Sequence, residues 1–373
     1  MIYLDNAATT KPLDSALEVA KFINEEMYFN PSARYHGGVT ASNIVKTARE
    51  TVSKCVGSDF DVIFTSCGSE ADNTAIFSYL RRGNAVTTLG EHSAVYEPYI
   101  DLKNRGYDSR FAKINLDGSV NEESLLSLID DNTVFVSVVH VNNETGAIND
   151  INKLAYLCKK KNPRIVFHSD GVQAFGKIPT KLSSDIDLYS VSAHKIGGLK
   201  GVGALIKNKK LKSLKPLIYG GGQEFNLRSG TENVFGIKVF ELATISKFTD
   251  ISANFEKVKQ LKETFLSNID KDFIKVISTN NCSPYVISLS AVGLRGEVLQ
   301  HMLEGEGVIV GTGSACNSKN PHSRVLKEAG YKPNELDGVI RISFSSESTL
   351  DDAVYSAKKI NEQVIKLKKA MKK

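Results

Sequence analysis

The chain has 373 residues, of which 41% are hydrophobic and 24% charged, a composition that excludes a disordered or fibrous polymer and allows a core large enough for two lobes. No apolar run approaches the twenty residues of a membrane helix, and the start MIYLDNAATT has neither the basic nor the apolar segment of a signal peptide, so a cytoplasmic protein without membrane attachment is expected. A net charge of +5 is too modest to predict direct nucleic-acid binding, and five cysteines (Cys55, Cys67, Cys158, Cys282, Cys316) with no CxxC pair argue against disulfides and structural zinc.

Between residues 60 and 210 short apolar runs alternate with helical patterns, the rhythm of βα units and a largely parallel sheet. Strands are expected at 62–65, 85–89, 134–141, 164–169, 187–193 and 202–207, with helices between them, among them 70–82 and 151–161. The second of these puts Leu154, Leu157 and Cys158 on one face, which makes Cys158 a core thiol. From about residue 253 the pattern changes to a long helix (254–269), a strand (285–290), a helix (296–307), a glycine-rich loop around Cys316, a strand (338–345) and a last helix. The last helix ends in a lysine-rich tail, which reads as a solvated face. Two domains follow: a larger one over 13–250, and a smaller α+β one formed by 1–12 and 251–373.

Polar clusters fall where the strands end: SCGSEADN after 62–65, GEH after 85–89, NNETG after 134–141, DGVQ after 164–169 and HKIGG after 187–193. Open α/β sheets bind ligands outside the carboxyl ends of their strands, so five clusters on one edge predict a pocket. After Gly68 a helix is expected to open on Ser69 or Glu70, as a phosphate cradle or a plain capped turn. Cys67 beside them is an accessible thiol or a small filler. Asp170 is a helix cap or the acid that keeps a ring nitrogen protonated. His92 caps a loop, binds metal, or stacks on a ring while moving protons. Because His92, His168 and His194 stand at different strand ends with no acid or thiolate at ligand spacing, no metal is expected. Lysines are ordinarily solvated, yet Lys195 follows an apolar strand and precedes Ile196-Gly197-Gly198, where desolvation prepares an amine for Schiff-base chemistry. Arg341 interrupts an apolar strand and needs an anion, either a substrate carboxylate or a structural acid. Asn143 is an amide donor to a ligand or shapes its turn.

Free cysteine is usually buried, but Cys316 stands in GTGSACNSKNPH, residues 311–322. Such a stretch suits a reactive thiol that must travel, with Gly311, Gly313, Ser314 and Ser318 expected to permit the swing.

In order along nearly the whole chain, YLDNAATT, NPSARYH, FTSCGSEADN, EHSAV, HVNNETGAI, HSDGVQAFGK, SVSAHKIGGLKGVGAL, GGGQEFNLRSGTEN, RGEVL, GTGSAC and IRIS resemble the NifS/IscS-type cysteine desulfurases of the class V aminotransferase group. The resemblance implies pyridoxal 5'-phosphate (PLP) as cofactor and the type I fold of PLP-dependent transferases. That fold is α/β, with a large domain around a mostly parallel, seven-stranded-type sheet and a smaller α+β domain. Lys195 then carries the cofactor and acts as base, His92 stacks on its ring, Asp170 pairs with the ring nitrogen and Gln173 with the ring hydroxyl. Gly68, Ser69, Ser192 and His194 hold the phosphate with Thr231 of a second subunit, so a homodimer is expected. Asn143, beside the cofactor, and Arg341 position L-cysteine, and Cys316 takes its sulfur as a persulfide, leaving L-alanine. The polar run after GSAC resembles the mobile-loop class, although Gly311 and Asn317 stand where serine or threonine is common, and Ser69 where threonine is. The sulfur acceptor implied is an iron-sulfur scaffold or a tRNA-thiolation enzyme. Alternatives on the same residues are a selenocysteine lyase or aminotransferase of this fold, a non-catalytic sulfur-relay scaffold, and a redox-sensing thiol protein.

Overall fold

Short β-branched and aromatic runs build two sheets in a computed structural model that describes residues 1–79, 82–212, 214–279, 281–312 and 322–371. In chain order the strands are β1 (Ile2–Leu4), β2 (Phe60–Thr65), β3 (Asn84–Thr88), β4 (Asp108–Ala112), β5 (Thr133–Ser137), β6 (Val166–Asp170), β7 (Leu188–Ser192), β8 (Gly203–Asn208), β9 (Lys275–Val276), β10 (Ile287–Ser290), β11 (Val308–Thr312) and β12 (Val339–Ile342). The larger sheet has the order β2-β8-β7-β6-β5-β3-β4; β8 runs antiparallel to both its neighbours and the other six strands share one direction. This is the mostly parallel seven-stranded sheet expected. All six strands read from the apolar runs are present; the one expected at 134–141 ends at Ser137, and the ends of the others differ by at most two residues. β4 escaped that reading because DSRFA is charged and pairs only at the sheet edge, with β3.

Alternate side chains of these strands enter two cores, one on each face of the sheet. Val62, Phe64, Val86, Val136 and Phe167 pack beneath the helices His36–Val56 and Val234–Thr249. Ile63, Ala85, Phe135 and Val166 pack on the other face, under the helices Gly68–Tyr79 and Ser93–Asn104. Cys158 and Leu154 are buried in the first core, with Leu157 half-buried beside them.

The second sheet has the order β1-β11-β12-β10-β9, with β1 parallel to β11 and the rest antiparallel. Its core is closed by the helices Ile251–Ser267, Gly296–Gly305 and Leu350–Met371. The last helix buries Ala353, Ala357, Ile360 and Val364 and turns its lysine-rich face to solvent. No described helix is long and apolar enough to cross a membrane.

Candidate active site

The parallel direction of β2, β3, β5, β6 and β7 brings all five polar clusters to one edge, where they enclose a cavity of about 240 Å³. Cys67, Gly68, Ser69 and Asp72 line it from the end of β2, and His92 from beyond β3. Asn143 follows β5, Asp170 and Gln173 come from the end of β6, and Ser192, His194 and Lys195 from the end of β7. Ala7, Ala8 and Arg341 complete the wall.

Lys195 ends a single 3₁₀ turn, Ala193–Lys195, that leaves β7. Its Nζ donates to the carbonyl oxygens of Ala7 and Ala8, at 2.7 Å each. That N-terminal segment is pinned beside β12, where Ala7 N donates to Ser343 Oγ at 2.9 Å and Asn6 Nδ2 to Ser343 O at 2.9 Å. Gln173 Nε2 donates to the same Ala7 oxygen at 2.8 Å, while its Oε1 accepts from Lys177 Nζ at 2.8 Å. The N-terminal segment and the end of β7 thus converge on one amine.

Asp170 is buried, its Oδ1 accepting from Val172 N at 2.9 Å. Burial pushes its carboxyl above the ordinary range, against the pull of His92 and Lys195. His92 caps the helix Ser93–Asn104, with Nδ1 accepting from Ala94 N at 3.1 Å. Burial pushes its pKa down, Asp170 pulls it up and Lys195 pushes it down again. A neutral ring with Nδ1 engaged as acceptor carries its proton on Nε2. His194, with Nδ1 3.1 Å from Thr9 Oγ1, is pushed down to about 4 by burial and by the cations of Lys195, Lys200 and Lys177.

These residues fit a phosphorylated ring cofactor. Ser192 Oγ is buried with no hydrogen-bond partner among the described residues, a situation that costs about 1–3 kcal/mol unless a ligand relieves it. Beside it the first N–H groups of the helix Gly68–Tyr79 lack intrahelical acceptors, as at any helix start. A Cβ on Gly68 would lie 2.8 Å from Val172 Cγ2 and 3.3 Å from Ser192 Cβ, so glycine keeps this cradle open. An anion fits at that helix start. The buried acid Asp170 suits a cationic ring nitrogen across the cavity.

Arg341, on β12, is 5% exposed. Its Nη2 donates to Asp5 Oδ1 at 2.7 Å and its Nη1 to Asn143 O at 3.0 Å, while Nε is buried without a partner among the described residues. The structural acid weighed from sequence is therefore present, and it leaves Nε without a partner among the described residues on a side chain that lines the cavity. Gly311 overturns an expectation. It is no hinge of the Cys316 loop but part of β11, paired opposite Arg341. A Cβ there would come 2.6 Å from Asp5 Oδ1 and 3.1 Å from Arg341 Nη2, so glycine is needed for the close approach of the ion pair. Gly311→Val should lower stability by about 1–3 kcal/mol through overpacking, read as a lower denaturant midpoint at unchanged m-value; an unchanged midpoint would contradict this packing.

The class-V aminotransferase family model matches residues 2–354. The chain belongs to this family. A cysteine desulfurase IscS of Dictyoglomus turgidum is 35% identical to it over 98% of this chain and 95% of its own length. A solved NifS-like protein superposes with a TM-score of 0.90 at 34% identity, covering 97% of this chain and 99% of that one. Another solved structure, SspA in complex with cysteine, superposes with a TM-score of 0.81 at 27% identity over 94% of this chain and all of that one. Within the PLP-dependent class-V family the chain is thus of the NifS/IscS cysteine desulfurase type.

One candidate residue of this class-V chain is not in the cavity. Thr231 is exposed and lines a separate groove with Ile23, Met27 and Phe29. Cys316 lies outside the described residues, as do Gly313, Ser314 and Ser318. Cys67 is in the cavity wall, its Sγ accepting from Glu70 N at 3.4 Å. Reading the sequence residue by residue missed Asp5, Ala7, Ala8 and Lys177. The sequence carries a signal for the first three: a polar pair, Asp5-Asn6, directly after the short apolar run of β1, repeats the strand-end pattern of the other clusters.

Proposed function

We propose that this chain is a cysteine desulfurase that takes sulfur from L-cysteine onto Cys316 as a persulfide and releases L-alanine. The observation that carries the reading is the unpartnered Ser192 hydroxyl beside the open Gly68 cradle, in the same cavity as the Lys195 amine. PLP, when bound, supplies an electron sink that makes the α-proton of an amino acid removable.

In this reading Gly68, Ser69, Ser192 and His194 hold the phosphate, and Asp170 keeps the ring nitrogen protonated. Lys195 anchors the cofactor and moves the α-proton, and His92 lies against the ring as a neutral imidazole. Arg341 receives the substrate carboxylate through donors that Asp5 leaves over, with Asn143 beside it. The Cys316 thiolate forms an S–S bond to the substrate sulfur as the C–S bond breaks. The bonding pair stays on the carbon skeleton, which takes up protons to become alanine.

Thr231, exposed and away from its own chain's cavity, is the residue a second copy contributes in this reading, which makes the working unit a homodimer. The acceptor is a protein of iron-sulfur assembly or tRNA thiolation. The four described cysteines are all free, which supports a reducing cytoplasm.

The test is to record the visible absorbance of the purified protein and then measure alanine and sulfide from L-cysteine with a reductant. A yellow protein giving equal amounts of both is expected. A colourless protein that cannot be reconstituted with PLP would overturn the reading, and a rate with selenocysteine far above that with cysteine would replace it with a lyase.

A further inference from the structure

Lys177 is 6% exposed, yet among the described residues no ion pair involves it. Its hydrogen-bond acceptor is neutral: Nζ donates to Gln173 Oε1 at 2.8 Å, four residues earlier in the chain. Gln173 in turn donates from Nε2 to Ala7 O at 2.8 Å, the same carbonyl that receives Lys195 Nζ at 2.7 Å. A carboxamide has one acceptor oxygen and two N–H donors. Lys177 Nζ as donor and the Ala7 carbonyl as acceptor together fix which end is which: the oxygen is turned back to Nζ and the NH₂ group forward, where one N–H meets Ala7 and the second is left for the cavity that Gln173 lines.

A buried cation without an acid is a costly way to orient an amide. Burial and the cations of Lys195, Arg341 and Lys247 push the Lys177 pKa down to about 7. Lys177 and Lys195 also line a second hollow of about 260 Å³, which shares Lys195 with the first cavity, together with Tyr3, Lys247 and Glu347. Lys177 therefore stands behind the cofactor cavity, touching it through one side chain.

We propose that Lys177 is a positioning residue for the cofactor, locking the Gln173 carboxamide so that an N–H, and not the carbonyl oxygen, is presented to an oxygen of the ring. The proposal deepens the reading given above and rests on Gln173 facing the PLP ring. Without Lys177 only the Ala7 carbonyl holds the amide, and an amide that turns out of place sets its oxygen against the ring oxygen.

The experiment is a double-mutant cycle on full-length protein, with PLP affinity and the position of the visible band as readouts. Lys177→Met keeps the side-chain length and removes the donor. It should weaken PLP binding about 3- to 10-fold and displace the band, as loss of one neutral hydrogen bond implies. Lys177→Arg, which keeps a donor and has the hollow to extend into, should restore both. In a Gln173→Ala background, Lys177→Met should have no further effect on either. If Gln173→Ala itself left affinity and band unchanged, Gln173 would not face the ring and the cofactor reading would fall together with the proposal. If Gln173→Ala weakened binding but Lys177→Met did nothing, or added its effect in full, the proposal alone would be overturned. A Lys177→Met chain that fails to fold leaves Lys177→Gln for the same cycle: its carboxamide offers an oxygen as well as N–H groups and so no longer dictates which end of Gln173 faces it, and weaker binding with a displaced band, both absent in the Gln173→Ala background, supports the lock, whereas wild-type affinity and an unmoved band overturn it.

Discussion

Lys195→Ala is expected to lose cysteine turnover by about four orders of magnitude and to bind PLP only reversibly. The amine sits at the meeting point of β7, the strand ends and the N-terminal segment, held at 2.7 Å from both Ala7 O and Ala8 O. Alanine would remove the nucleophilic nitrogen and also leave two carbonyls without this donor, so a second variant is needed to separate chemistry from support. Lys195→Arg keeps a cation and donors but has no amine that forms a Schiff base, and it should be as inactive as alanine. Reversible PLP binding should survive in both, because Ser192 and the helix start at Gly68 are untouched. The measurement is the visible spectrum before and after dialysis, beside alanine release. Turnover within tenfold of wild type in either variant would remove Lys195 from the mechanism.

Cys316→Ala should keep the yellow cofactor band and stop alanine release, with turnover down at least about a hundredfold, because the sulfur has no nucleophile to receive it. The direct readout is intact mass after reaction with L-cysteine, which should show one added sulfur atom on the wild type and none on the variant. Cys67 makes this a discriminating test, since it lines the cavity and is a second thiol near the substrate. Cys67→Ala should still acquire the sulfur. A persulfide that persisted in Cys316→Ala and vanished in Cys67→Ala would move the nucleophile to the end of β2.

Much of the large sheet was legible because a buried strand must be a short apolar run and a ligand-binding strand end must be polar. Lys195, Asp170 and His92 are conspicuous for the same reason: each ends an apolar stretch with a group that has no business in a core unless it meets a ligand. The edge strand β4 was not legible, since one paired edge and charged ends satisfy DSRFA without an apolar run. Nor was the place of Gly311, whose neighbours Thr312 and Gly313 made it look like loop.

The sequence by itself determined the alternation of strands and helices, the polar residues at the strand ends and the identity of the chemically able groups, because these depend on local hydrophobic pattern and on residue type. Only the tertiary structure decided which of them meet. The N-terminal strand joins a sheet made from residues beyond 275, and Asp5 reaches Arg341 across 336 residues of chain. In the sequence Gln173 is one member of the DGVQ cluster, and only the fold brings Ala7 and Lys177 around it. Such contacts leave no periodicity in the sequence; they follow from the packing of two cores against a shared edge, which fixes distances that local pattern cannot encode.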